Sequence, residues 1–486
     1  MKRHDSRVLA MLFGAALVAY AATPAAPFSR QPDESGLAHT APQSPQRAGA
    51  ASPTGLFTRQ AAGPSTDGEI HGILPERDRA RVVNDWLQWR LDNILPELMR
   101  REGIDMWLVI NREYNEDPVY LSLVPATTLS ARRTSILIFL DQGQGKGVER
   151  YTGGPSGGGL YKPTWTDKKL RQFDSLAVFI KSHNPKKIGL NFSEDWAFGD
   201  GLSLTLKAKL EKALGPELSG RFVSAERLCV GWLETRSPQE LSVYRQIAGI
   251  GHNLIAEFFS NRVIAPDITT TEDVEWWIRD RVTGLGLGVW FHPSISIQRR
   301  KTEAPGYPGN PEIIRRGDLL HCDVGVRYLG LCTDMQLHAY VLKPGETDAP
   351  GGLKRALDRA NRLADIFMGG FRTGRTGNEI VASAMEKGEA EGLRPLIYSH
   401  PLGPYGHGPG CTADARPAEE APEDIKERGN YPLFPNTVFA IEFSATTAVS
   451  EWDNQDVRTG YEEDGMFDGS ACRFIDGRQT ELFIIR

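Results

Sequence analysis

Apolar positions become periodic from Ile73 onward. Val83, Trp86, Leu87, Arg90, Leu91, Ile94, Leu95 and Leu98 recur at helical spacing, which predicts a long amphipathic helix. Gly103 then precedes IDMWLVI at 104–110, a short apolar run of strand type, and TSILIFL at 134–140 and KIGLNF at 187–192 repeat that signature. Helical stretches near 167–181 and 203–214 flank the third strand. Helices alternating with buried strands predict an α/β domain over 67–235.

The pattern changes at Ser237-Pro238-Gln239-Glu240, a capping box with proline at the first helical position. Leu241, Tyr244, Ala248, Ile255 and Phe259 carry that helix forward. A second helix follows Thr270, capped through Asp273, with Val274, Trp277, Ile278 and Val282 on one face. Two more are expected over 353–367 and after Thr376-Gly377-Asn378-Glu379, another capping box. The runs 319–342 and 437–445 read as strands. Region 236–486 is therefore expected to be α+β, with helices grouped around an antiparallel sheet. No internal repeat is visible.

Composition narrows the function. The 486 residues are 40% hydrophobic and 24% charged, enough apolar material for a large core and for about two or three domains. The net charge of −6 leaves no basic excess for a phosphate backbone, so nucleic acid is excluded as a partner. Five cysteines without a CxxC indicate neither a disulfide framework nor a cysteine zinc site. At the N-terminus Lys2, Arg3 and Arg7 precede an uncharged apolar run at 8–22, and Ala19-Tyr20-Ala21 offers a small-x-small cleavage site. Residues 1–21 thus read as a secretory signal peptide. The competing reading, an uncleaved anchor, needs a span of about 20 apolar residues. Export to the periplasm or medium, with no stable membrane insertion after cleavage, is expected. Residues 22–66, rich in Ala, Pro, Ser, Gln and Gly, read as a solvated linker. GGPSGGG at 153–159 lacks the Lys-Ser/Thr of a phosphate loop and reads as a surface loop.

The candidate chemistry lies in carboxylates set among apolar residues. Asp323 and Asp334 both sit in strand-like runs, where an ionised carboxylate is unfavourable unless paired or metal-bound. A hairpin folded about Tyr328-Leu329 would place them directly opposite, with Cβ atoms about 4.5–5.5 Å apart. Two like charges so close call for a cation between them. The competing reading is two turn aspartates capping backbone groups. Glu442 lies within VFAIEFSA, and Glu462 begins an acidic triplet just after Tyr461. A buried pair with arginine, for the first, and a solvated acidic loop, for the second, remain open. The stretch from His400 to Gly410, too rich in Gly and Pro for a helix, reads as an irregular loop holding His400 and His407 seven residues apart.

The order Asp, Asp, His, Glu, Glu, with the aspartates eleven apart on a hairpin, resembles the pita-bread dinuclear metallopeptidases: methionine aminopeptidase, Xaa-Pro aminopeptidase (aminopeptidase P) and prolidase. The resemblance covers roughly 237–486. The preceding α/β region matches the smaller creatinase-N-like domain of the Xaa-Pro aminopeptidase and prolidase branch. It implies two divalent ions, Mn first and Zn or Co as alternatives, held by Asp323, Asp334, His400, Glu442 and Glu462. Asp334 and Glu462 would bridge, Glu442 would double as general base, and His407 would handle substrate or proton. A second register, from Gly406-His407-Gly408, makes His407 the ligand instead.

The implied activity is hydrolysis of N-terminal residues from peptides, at Xaa-Pro bonds, by a water activated between two metals. A prolidase-like dipeptidase, another amide hydrolase, and a peptide-binding module without catalysis are the alternatives. Homodimerisation follows from the resemblance alone. One departure stands out: relatives keep a substrate-contacting histidine shortly upstream of the first aspartate, and none occurs around Pro305-Gly306-Tyr307. His292 and His321 are the nearest candidates, each better suited to a core or supporting role.

Overall fold

The structure is a computed structural model that describes residues 70, 72–154, 158–303, 309–416 and 425–486. The expected leader and linker, the centre of the 153–159 glycine stretch and Pro305-Gly306-Tyr307 lie outside the described residues. The periodic stripe from Val83 forms helix α1 (Glu76–Glu102), which ends where Gly103 adopts φ 63°, a left-handed conformation that glycine takes without strain. Strands β1 (Met106–Arg112), β2 (Thr134–Asp141), β3 (Val148–Thr152) and β4 (Lys162–Pro163) follow. Next come α2 (Gln172–His183), β5 (Ile188–Leu190), α3 (Leu204–Leu214), α4 (Pro216–Ser219), β6 (Phe222–Ser224) and α5 (Glu226–Glu234). The six strands form one mixed sheet in the order β4-β3-β2-β1-β5-β6. Trp107, Val109, Leu137 and Phe139 pack on the side of α1 and α5, and Met106, Leu108, Ile136 and Ile138 on the side of α2 and α3. Burial on both faces is why β1 and β2 read as unbroken apolar runs.

The second region opens with α6 (Pro238–Phe258), whose capping box is formed in both directions between Ser237 and Glu240. It continues through α7 (Thr271–Gly284), β7 (Gly288–Val289), β8 (Ser294–Gln298) and β9 (Leu319–Val324). Strands β10 (Val326–Tyr328), β11 (Leu331–Cys332) and β12 (Met335–Val341) precede α8 (Gly351–Met368) and α9 (Gly377–Ala390). The chain closes with β13 (Pro395–Leu402), β14 (Ala413–Asp414), α10 (Ile425–Arg428), β15 (Thr437–Val449), β16 (Gln455–Phe467), β17 (Cys472–Phe474) and β18 (Phe483–Ile485). The main sheet runs β14-β13-β15-β16-β12-β9-β8, with β17 on β16 and β18 on β12; β11-β10-β7 form a small second sheet. Helices α6 and α7 pack on one face with Val438, Ala440 and Met466, and α8 and α9 on the other with Phe439, Ile441 and Phe443. Side chains alternate along a strand, so Glu442 shares the α6/α7 face with Val438 and Ala440. No helix among the described residues is long and apolar enough to cross a membrane.

The hairpin differs from its expected register. Tyr328 pairs with Leu331, so the turn residues are Leu329 and Gly330, at φ 53° and 77°. Positive φ at both central positions is the type I′ geometry that matches the twist of paired strands, and Gly330 is the residue that favours it. Asp323 consequently faces Gln336, not Asp334. Asp334 precedes β12 by one residue and lies diagonally across from Asp323.

Candidate metal centre

A single row of residues crosses four neighbouring strands. Glu442 of β15 faces Glu462 of β16, Glu462 faces Gln336 of β12, and Gln336 faces Asp323 of β9. Directly facing residues put their side chains on the same side of the sheet, so three carboxylates and one carboxamide stand side by side. Asp334 joins from the hairpin. His400 joins from β13, where its neighbour in register is Ala440.

His400 is therefore on a strand and not in an irregular loop. Pro401 is tolerated in the strand because β14 pairs with β13 only at Tyr398 and Ser399. Beyond that point one side of β13 is an edge, where a missing N–H breaks no ladder bond. His407 does lie in the loop that follows.

All five residues expected as ligands converge. Ligand atoms of Asp323, Asp334 and Glu462, and those of His400, Glu442 and Glu462, lie within 4.8 Å of one another. His400 Nε2 stands 3.5 Å from Glu442 Oε2 and 3.8 Å from both Asp334 Oδ2 and Glu462 Oε1. Asp334, His400 and Glu462 are buried, Glu462 to 1% exposure. Among the described residues, Asp323 Oδ1, Asp334 Oδ1, His400 Nε2 and Glu462 Oε1 are buried with no hydrogen-bond partner. Orphaned polar atoms of this kind are rare in folded proteins, and four of them pointing into one space suit a cation.

The electrostatics agree. Burial, then the Glu442 charge, pushes the Asp323 carboxyl up to about 7. Burial and the neighbouring carboxylates push Asp334 and Glu462 well above the usual carboxylate range. Without a cation, the cluster holds protons in its place. An oxygen-rich set with one imidazole is a donor set suited to a divalent first-row cation.

His407 forms a three-atom set with Asp334 and His400 within the same 4.8 Å limit, and its ring stands edge-to-face on His400 with centroids 4.6 Å apart. Burial, then His400, lowers its pKa to about 4, so the ring is neutral near pH 7. Its ring also packs edge-to-face with Trp290, 5.0 Å between centroids, and the Trp290 Nε1–H donates to Thr333 O at 2.9 Å. Tyr405, two residues before His407, donates its hydroxyl to Pro118 O at 2.6 Å, so the first region buttresses this loop.

The two substitutes considered for the upstream histidine part company. His292, 46% exposed, stands beside Glu275 and Arg279 and packs on Trp276. His321 has both ring nitrogens engaged, by Ser296 Oγ at 3.1 Å and Gln336 Oε1 at 2.9 Å. Three supporting residues carried no sequence signal of their own: Gln336, Trp290 and His252. The last is buried between Glu463 at 2.8 Å and Asp476 at 3.0 Å. Burial opposes its charge, but the two carboxylates outweigh burial and raise its pKa to about 10.

Residues 242–476 match the model of Metallopeptidase family M24. The second region of the chain thus carries a domain of this family. A domain of this metallopeptidase family implies a hydrolase, and the fold is the pita-bread fold with an α/β region before it. Solved structures agree on the fold. The X-Pro aminopeptidase from Thermotoga maritima MSB8 is 17% identical with a TM-score of 0.55, covering 80% of this chain and 99% of its own. A dipeptidase from Pyrococcus horikoshii OT3 is 16% identical with a TM-score of 0.53, covering 81% and 99%. Dipeptidase PepE from Mycobacterium ulcerans is 15% identical with a TM-score of 0.52, covering 85% and 99%. No curated protein matches the sequence.

Proposed function

We propose that this metallopeptidase is an exported enzyme that binds two divalent ions, Mn first among them. It removes N-terminal residues from peptides at Xaa-Pro bonds. The observation that carries the reading is the set of four orphaned buried atoms on Asp323, Asp334, His400 and Glu462, with Glu442 beside them. The Xaa-Pro preference draws on the named activity of the Thermotoga neighbour, and export draws on the basic and apolar pattern of residues 2–22. Homodimerisation belongs to the same reading.

Bound ions would supply a nucleophilic water near neutral pH and polarise the scissile carbonyl. Asp323, Asp334, His400, Glu442 and Glu462 would hold them. Glu442, half-buried and facing Glu462, is placed to take up a proton and return it to the departing amine. His407, neutral and oriented by His400 and Trp290, can hydrogen-bond the substrate.

The test is elemental analysis of purified protein with a Mn-supplemented assay on X-Pro-X tripeptides and X-Pro dipeptides. Tripeptide cleavage supports the aminopeptidase reading. Cleavage of dipeptides alone makes the protein a prolidase-like dipeptidase. Peptide-dependent thermal stabilisation without turnover under any metal makes it a binding module. Asp334→Ala is expected to lose both metal and hydrolysis, and a metal-replete Asp334→Ala protein with full activity contradicts the proposal.

A further inference from the structure

Gln336 is the one uncharged member of the row Glu442, Glu462, Gln336, Asp323. Its side chain is buried at 6% exposure and every polar atom of its carboxamide is used. Nε2 lies 2.8 Å from Glu442 Oε1 and 2.9 Å from Glu462 Oε2, and Oε1 lies 2.9 Å from His321 Nε2. The polarity of this network is forced. With a cation bound, both glutamates would be ionised and only accept, so the amide –NH2 must face them, one hydrogen to each. Oε1 must then face His321, which can satisfy it only with Nε2–H. A neutral ring protonated at Nε2 leaves Nδ1 as acceptor, and the Ser296 hydroxyl at 3.1 Å is its donor. The chain of bonds thus runs one way, from Ser296 through His321 and Gln336 to the two glutamates.

The backbone makes room for this arrangement. A Cβ at Gly460 would stand 2.7 Å from His321 Nε2 and 2.9 Å from Gln336 Oε1, closer than any side chain tolerates, so glycine is what lets the two meet beside β16. The consequence falls on the carboxylates. With Glu442 Oε1 and Glu462 Oε2 tied to Gln336, the free oxygens are Glu442 Oε2 and Glu462 Oε1, the two that approach His400 Nε2 at 3.5 and 3.8 Å. Glu462 Oε1 is also one of the orphaned atoms.

We infer that Gln336, locked by His321, is a positioning residue that selects which oxygen of Glu442 and of Glu462 faces the metal centre. The inference rests on the metal role proposed above for those two glutamates. Donors of this kind orient ligands and raise affinity by about 10–100-fold.

The experiment titrates metal-free protein with MnCl2 by calorimetry for wild type, Q336L, H321L, H321Q and the double variant H321L/Q336L. Q336L is expected to weaken Mn binding about tenfold or more. H321L should give a smaller loss, which H321Q largely restores because a glutamine amide can still donate near the Nε2 position. The double variant should match Q336L alone, since His321 acts only through Gln336. With X-Pro-X peptides, Q336L should lower kcat while leaving KM near wild type. Q336M, of similar length and without donors, reads the same affinity should Q336L fail to fold. Wild-type Mn affinity in Q336L or Q336M, or an equal effect of H321L with and without Gln336, overturns the inference. Absence of Mn uptake by the wild-type protein overturns the metal assignment itself, a distinct outcome.

Discussion

At the scale of single residues, the two histidines of the site separate by environment. His400 points Nε2 among three carboxylates and has no other partner there, whereas His407 is exposed and packs edge-to-face against the His400 and Trp290 rings. Both registers considered for the ligand place an imidazole near Asp334, and the geometry gives them different consequences. His400→Phe is expected to lose metal, while His407→Phe should keep full Mn content and lose about 10²-fold in kcat, the scale of one missing transition-state hydrogen bond. Metal analysis and kcat on the two purified variants decide between them, and loss of metal in His407→Phe would reverse the assignment. Asp323, Asp334 and Glu442 are legible in the sequence because a carboxylate among apolar residues carries a free-energy penalty that demands a partner, whereas Glu462, in an acidic triplet, rests on the family resemblance. Gln336 and Trp290 were not, since an uncharged side chain in a strand raises no such question. Spacing alone offered one hint, that Gln336 sits two residues after Asp334 and so shares its face.

At the scale of elements, local chemistry was readable where it closes on itself and misread where it depends on neighbours. The capping boxes at Ser237, Thr270 and Thr376 are all formed, because each needs only residues three apart. The hairpin turn falls one residue later than the pairing of the two aspartates predicts, because Gly330 favours the positive φ of the turn. His400 lies on a strand where its Gly/Pro-rich surroundings predict a loop, because the edge that permits Pro401 in β13 is a property of the sheet. Arg90, the polar member of the apolar α1 stripe, shows how such contexts resolve. It donates to Glu240 Oε2 at 2.8 Å, to Thr235 O at 2.5 Å and to Trp232 O, and Arg236 reaches Glu240 Oε1 at 3.0 Å. Burial lowers the Arg90 pKa to about 10, against the opposing pull of Glu240. Glu240→Ala would leave two buried guanidiniums without their anion. A loss of about 3–5 kcal/mol is expected, measured as a drop in denaturant midpoint, and a loss within the range of an ordinary surface substitution would show that the cluster does not join α1 to α6.

At the scale of the whole molecule, metal, protons and stability are linked. The first region carries no catalytic motif, so its bond from Pro118 to the His407 loop could not be read from sequence; the acidic centre, by contrast, makes a global statement. Asp323 has a folded pKa near 7 against 3.8 for the free group, with Asp334 and Glu462 shifted in the same direction. Below about pH 4 both folded and unfolded forms of Asp323 are protonated, and no difference arises. Between about 4 and 7 the folded state binds more protons, so the stability of metal-free protein falls as pH rises through that window. His252, with its folded pKa raised to about 10, also loses stability as pH rises, but it does so with or without metal and cancels in the comparison. Metal reverses the sign at the centre, because it binds the deprotonated ligands and releases protons on binding. At a free Mn concentration a hundred times Kd, each site adds about 2.7 kcal/mol. Thermal unfolding with excess Mn and with EDTA should therefore diverge as pH is raised from 5.5 to 8, the EDTA curve moving down and the Mn curve holding or rising. A gap that stays constant across that range, or vanishes at pH 8, would mean that the raised carboxyls are not where the cation binds.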